Sequence, residues 1–132
     1  MKVLLDTHTF LWFIDTPERL SPLAQTLLEN EQTTLIASIA TPWEIAIKRS
    51  IGKLTTRHSA AEQMAAYQDI IFFLGISAKH LALLETLPYR HRDPFDRIII
   101  AQALAENLPV VSADGGRSTL TELSASGNNA PL

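Results

Sequence analysis

The run from Arg90 to Ala103 reads Arg-His-Arg-Asp-Pro-Phe-Asp-Arg-Ile-Ile-Ile-Ala-Gln-Ala, and no other stretch constrains the fold as tightly. Asp93 precedes Pro94, and proline favours the first helical position because its missing N–H would have no partner there. Asp93 therefore reads as a helix N-cap. Asp96 falls at the third helical position, where unpaired backbone N–H groups and the positive end of the helix dipole favour negative charge. Behind it, Ile98, Ile99, Ile100, Ala101, Ala103, Leu104 and Ala105 leave almost no polar face. A helix of that kind cannot lie on a surface and has to be packed from several sides. Two carboxylates at the mouth of a buried helix are caps, ligands, or one of each.

The remaining chain supplies the packing. Lys2 to Leu5 is a short apolar strand ending in Asp6-Thr7, and Thr7 to Ile14 is an apolar, aromatic helix stopped at Asp15-Thr-Pro17. Ser21-Pro22 starts a second helix to about Asn30, and Thr34 to Ala37 is a second strand. Thr41-Pro-Trp-Glu44 opens a helix ending at Gly52, with Thr41 and Glu44 spaced as a reciprocal capping box. Next come a helix from Ser59 to about Tyr67, a strand within Ile70 to Ile76 and a helix from Ser77 to about Leu87. The buried helix ends near Asn107-Leu-Pro109, and Val110 to Asp114 is a strand ending in an acid before Gly115-Gly116. Helices separate the strands, so a parallel sheet is the natural closure and the fold class is α/β.

At 132 residues the chain fits one domain, 1–132, with a Ser-, Thr-, Asn- and Gly-rich tail from about 118 expected to be mobile. It has no cysteine, so any metal must be held by oxygen or histidine, and a reducing, cytoplasmic setting is expected. Met-Lys-Val-Leu-Leu is too short for a signal-peptide core and no apolar run reaches membrane-spanning length. A formal charge of −3 argues against a protein coated in basic surface, although most of the basic residues lie between Lys48 and Arg97.

In open parallel sheets, sites form at the carboxyl ends of strands. Asp6 and Asp114 end strands there, and Glu44 and Asp96 sit in first helical turns that come after strands. Carboxylates gathered at one place repel one another unless a cation offsets them. Hard divalent cations such as Mg2+ take oxygen ligands, and two of them can serve phosphodiester hydrolysis. Each acid also has a structural explanation: Asp6 and Asp93 as caps, Glu44 in the capping box, Asp114 as a turn residue. Thr7 and Ser112 are additional candidates for orienting metal-bound water. His8, His58, His80 and His91 show no metal-site spacing and are expected to be solvated or core. Trp12, Trp43, Phe10 and Phe13 are expected in the core. The helices around Phe10 to Ile14 and Leu23 to Leu28 carry more apolar surface than a small sheet buries, which suits a partner helix.

Four segments together resemble the PIN-domain family, and within it the VapC-type ribonuclease toxins of toxin–antitoxin pairs. They are Leu-Leu-Asp6-Thr-His-Thr-Phe-Leu-Trp, Trp43-Glu44-Ile-Ala-Ile-Lys, His91-Arg-Asp-Pro-Phe-Asp96-Arg-Ile-Ile-Ile-Ala-Gln-Ala, and Val111-Ser-Ala-Asp114. The resemblance implies a three-layer sandwich with a central, mostly parallel sheet of four to five strands flanked by helices. It implies a metal-dependent endoribonuclease in which Asp6, Glu44, Asp96 and Asp114 bind Mg2+ or Mn2+, with Asp93 an additional acid of the same motif. It also implies an RNA substrate, a cognate antitoxin and a homodimer. After Asp114 the chain departs from the family pattern, lacking the usual aromatic-containing segment.

Three other classes compete. A non-catalytic PIN-like RNA-binding or partner-binding module keeps the fold without the chemistry, and an assay with added metal separates the two. A receiver-like phosphoacceptor domain wants an acidic pair after the first strand and a lysine after the last, where this chain has Asp6 alone and Asp114. A dehalogenase-type phosphatase wants Asp-x-Asp, which Asp6-Thr7-His8 does not supply.

Overall fold

The structure is a computed structural model; it describes residues 1–88, 93–114, 117–123 and 129–131, with side chains as far as Ser112. His91 and the Gly115-Gly116 break lie outside the described residues. Strands β1 (Lys2–Leu5), β2 (Thr34–Ser38), β3 (Ile71–Leu74), β4 (Val110–Asp114), β5 (Arg117–Leu123) and β6 (Asn129–Pro131) alternate with helices in the first two thirds of the chain. The helices are α1 (Thr7–Asp15), α2 (Pro22–Glu29), α3 (Ala40–Ser50), α4 (Ala60–Tyr67), α5 (Ala78–Thr86) and α6 (Pro94–Glu106), with a 3-10 turn at Pro17–Arg19.

One six-stranded sheet runs in the order β3-β2-β1-β4-β5-β6. The first four strands pair in parallel, with Leu4 opposite Ile36 on one side and Val110 on the other. β5 and β6 add in antiparallel fashion. The sheet therefore extends beyond the four to five strands expected, and the extension falls in the segment marked as a tail. An open edge on β4 is a ready template for a returning strand, and β5 takes it with Val111 opposite Leu120. A receiver-like domain would run 2-1-3-4-5, so the observed order removes that reading.

Successive strand residues point to opposite faces, which sorts the core into layers. Val3, Leu5, Leu35, Ala37 and Val111 pack with Phe10, Leu20, Ala24, Leu28, Ile45 and Ala60 on one face. Leu4, Ile36 and Val110 pack with Ile99, Ala103 and Leu108 on the other. Ala40, Ile98 and Ala101 form a third cluster where α3 meets α6. The helix without a polar face is thus sandwiched between the sheet, α3 and α5. Among its polar side chains, Gln102 donates to the Gly75 carbonyl at 3.2 Å and Arg97 to the Leu84 carbonyl at 3.1 Å.

Two helix starts and one stop position the site. Asp93 caps α6, its Oδ1 accepting from the Phe95 N–H at 2.8 Å and the Asp96 N–H at 3.2 Å. α3 begins earlier than expected, at Ala40, with Ile39 as an N-cap that offers no side-chain acceptor, while the Ser38 hydroxyl just before it accepts from the Ala40 N–H at 3.0 Å. Thr41 and Glu44 therefore form no capping box. At the far end of α6, Asn107 adopts a left-handed conformation with φ of 55°, and the Leu108 N–H reaches back to the Ala103 carbonyl at 2.9 Å. Phe10 is fully buried, and Trp12 and Phe13 are half-buried against the core, but Trp43 is 57 % exposed, contrary to the sequence expectation. It stands at the start of α3, edge-on to Phe95 with ring centroids 5.2 Å apart. Leu23 is also exposed, whereas Leu28 is buried. No helix among the described residues is long and apolar enough to cross a membrane.

Candidate active site

The carboxyl end of β1 sits between those of β2 and β4, so the residue after Leu5 is flanked by the turns that leave both neighbouring strands. Asp6 is that residue. Its N–H donates to the Val111 carbonyl at 3.1 Å, which extends the β1–β4 pairing to the site itself. Oδ1 caps α1 by accepting from the Thr9 N–H at 2.8 Å. Oδ2 accepts from the Ser112 hydroxyl at 3.1 Å. Asp6 therefore caps α1 with one oxygen and meets Ser112 with the other.

Glu44 lies one turn into α3 and is 4 % exposed. A carboxylate buried that deeply has to be satisfied on both oxygens. The Thr7 hydroxyl donates to Oε1 at 2.8 Å and the Lys48 ammonium to Oε2 at 2.6 Å. Thr7 also lies 3.2 Å from the Thr41 hydroxyl, and because its only proton goes to Glu44, Thr41 is the donor in that contact. Thr41, Thr7 and Glu44 form a short relay joining α1 to α3. Thr7, a candidate for orienting metal-bound water, is buried and donates to the Glu44 carboxylate.

Asp93 is half-buried and engaged as the α6 cap, while Asp96 is exposed in the first turn beyond it. The pairing with Glu44, chiefly, and the nearby charges of Asp93 and Asp96 hold the Lys48 ammonium above the ordinary lysine range. The charges of acids on two helices thus favour the Lys48 ammonium. Asp114 occupies the last position of β4, opposite Arg117 in register, and its side chain lies outside the described residues. Among the described residues no three carboxylates or imidazoles gather as a metal-ligand set. The described acids still suit a hard cation by chemistry, since Asp6, Glu44 and Asp96 offer oxygen only and the chain has no cysteine.

The sequence pattern did not reveal Thr41 and Lys48. Lys48 was legible as an i, i+4 partner of Glu44, a spacing that puts both side chains on one helix face. Thr41 was hidden by its apparent capping role. Of the histidines, His8 and His58 are exposed, and His80 is buried and held between α5 and α6.

Comparison with known proteins agrees with this anatomy. The family model for the PIN domain matches residues 3–120. No curated protein matches the chain. Among solved structures the chain is similar to one in the crystal structure of VapBC2 from Rickettsia felis bound to a DNA fragment from their promoter. That likeness has a TM-score of 0.63 at 18 % sequence identity and covers 86 % of this chain and 89 % of that one. At this identity it is a likeness of fold.

Proposed function

Because the chain belongs to the PIN-domain family, we propose that it is a metal-dependent endoribonuclease, the toxin of a toxin–antitoxin pair, hydrolysing RNA phosphodiester bonds. Asp6, Glu44, Asp96 and Asp114 would hold Mg2+ or Mn2+, which when bound supplies Lewis acidity toward a phosphodiester. The observation that carries this reading is the setting of Asp6 and Glu44. A buried glutamate is tied to Thr7, the residue next to Asp6, and Asp6 is tied through Ser112 to the strand bearing Asp114. Those ties orient two acids at the carboxyl end of the central strand, where parallel sheets place their ligands.

Each residue then has one task. Ser112 and the Thr9 N–H fix Asp6; Thr7 and Thr41 fix Glu44; Asp93 caps α6 and so places Asp96 on its first turn. The antitoxin would be a small protein covering this end of the sheet or the exposed Leu23 side of α2, the toxin a homodimer, and the setting cytoplasmic. A non-catalytic RNA-binding or partner-binding module is the second reading, favoured by Lys48 already occupying a Glu44 oxygen.

Cleavage of a mixed RNA pool with Mg2+ or Mn2+, with the new ends sequenced, separates the two. Metal-dependent cutting that EDTA abolishes and Asp6→Asn removes supports the nuclease. Asp96→Asn should lose cleavage by orders of magnitude, while Asp93→Asn, an equally good cap, should keep most of it. Intact RNA at every metal concentration, from a folded protein, would leave the binding module standing.

A further inference from the structure

We propose that Lys48 is a built-in counter-cation of the acidic site, which holds Glu44 in place in the metal-free chain and has to yield that carboxylate when a divalent cation binds. The inference rests on the reading of Glu44 as a metal ligand and adds to it a competitor carried by the protein itself.

The pair is unlike an ordinary i, i+4 ion pair on a helix surface, which contributes little to stability. The Glu44 side chain is 6 % exposed and the Lys48 side chain 40 % exposed, so the acid is fixed and the base is the member free to leave. Both residues belong to α3, so the bond fastens no two elements together. The fastening is done by Thr7, which takes the other Glu44 oxygen from α1. What remains for Lys48 is charge. It stands 2.6 Å from Oε2, and the negative charges of Asp93 and Asp96 on α6 also favour the ammonium. Magnesium-type cations sit roughly 2.0–2.1 Å from a ligand oxygen, so one on Oε2 would stand within a few ångströms of the ammonium. Two cations cannot share that oxygen without repulsion, and the flexible, partly solvated lysine stem provides a way out. Before metal arrives, the same ammonium keeps the buried carboxylate from facing neighbouring acids uncompensated.

Lys48→Met keeps the stem and removes the charge. Calorimetric titration with Mn2+ alone, together with melting in EDTA, should show two opposite changes. The Mn2+ dissociation constant falls about tenfold, equivalent to about 1.4 kcal/mol, while the metal-free protein melts at a lower temperature. Lys48→Arg, which retains the charge, should titrate like the wild type. Lys2→Met, an equal charge change at the opposite end of β1, should leave the Mn2+ constant unaltered. If Lys48→Met does not fold, Lys48→Gln replaces it, since its amide still donates to Glu44 without charge. Unchanged or weaker Mn2+ binding in the folded variant overturns the proposal while leaving the metal site intact. Absence of Mn2+ binding in the wild type sinks the functional reading, and this inference with it.

Discussion

Two lysine–glutamate pairs in this molecule share chemistry and differ in purpose. Glu106, at the end of α6, accepts from Lys79 and from His80 on α5, both at 2.8 Å and both at the same oxygen, Oε2. Glu44 accepts from Lys48 four residues later on its own helix. The first pair crosses between helices. It fixes the α5–α6 angle, and its buried histidine shows how: the Ser77 N–H donates to Nδ1 at 3.0 Å, so Nε2 carries the proton and donates to Glu106. The second pair crosses nothing, yet it holds the more deeply buried carboxylate. An ion pair that joins elements explains itself by architecture, whereas one confined to a single helix beside other acids needs a chemical reason.

Substitution at the two glutamates tests that contrast most severely. Glu44→Gln should reduce metal-dependent RNA cleavage by more than the ~10–100-fold typical of groups that only orient a ligand. Glu106→Gln should change it by less than about twofold per folded molecule. Comparable losses in both, measured at equal folded concentration, would erase the distinction.

The next effect is on stability. His80→Ala opens a cavity at a residue 1 % exposed and strands the Ser77 N–H. A loss of about 2–4 kcal/mol in chemical denaturation is expected, with cleavage by the folded fraction retained. A loss below about 1 kcal/mol would mean that the α5–α6 lock is ornamental.

Acid sharpens the same contrast. Lys79 chiefly, then His80, hold the Glu106 carboxyl below the ordinary glutamate range. A carboxyl lowered in the folded state contributes stability that is complete above the unfolded value, about 4.3, and is lost as pH falls through the lower folded one. Wild type should therefore exceed Glu106→Gln in denaturant midpoint at neutral pH, and the gap should close on acidification below about pH 4. A gap independent of pH would assign the effect to packing.

The smallest effect belongs to the residue after Glu106. Asn107 at φ of 55° occupies a conformation that costs a side-chain-bearing residue roughly 1–2 kcal/mol, less for asparagine. Asn107→Ala should destabilise by about 1 kcal/mol and Asn107→Gly should be neutral or slightly stabilising, both read from thermal melts. Equal melting of the two variants would show that backbone strain is not what matters there.

Much of this was readable because local chemistry and tertiary structure agree. Asp93-Pro94 announces a cap and is one. The alternation of Val3, Leu4 and Leu5 between opposite faces comes from the strand period. The Thr41–Glu44 capping box fails for the opposite reason. Thr41 and Glu44 have capping-box spacing, but α3 already starts at Ala40, which puts Thr41 inside the helix, and its hydroxyl turns to Thr7 at the carboxyl end of the sheet. Propensity states which groups are able to cap, while competition among neighbours decides which does. Trp43 was illegible in a different way: an aromatic beside Ile45 looks like core, and only the docking of α6 shows that its neighbouring ring, Phe95, covers an edge. β5 was obscured because what recruits it is the open side of β4, a property of the assembled sheet.

The bond from Ser112 to Asp6 spans 106 residues, and the Val111 carbonyl closes a similar span onto the Asp6 N–H. β1 lies between β2 and β4, but it is made first and its β4 neighbour long afterwards. At roughly 5–20 residues per second of synthesis, the first acid waits about 5–20 s on the ribosome for the serine that orients it. Nascent chain therefore carries Asp6 without the partners that align it, and the order of strands in the sheet delays that alignment until Ser112 has been made.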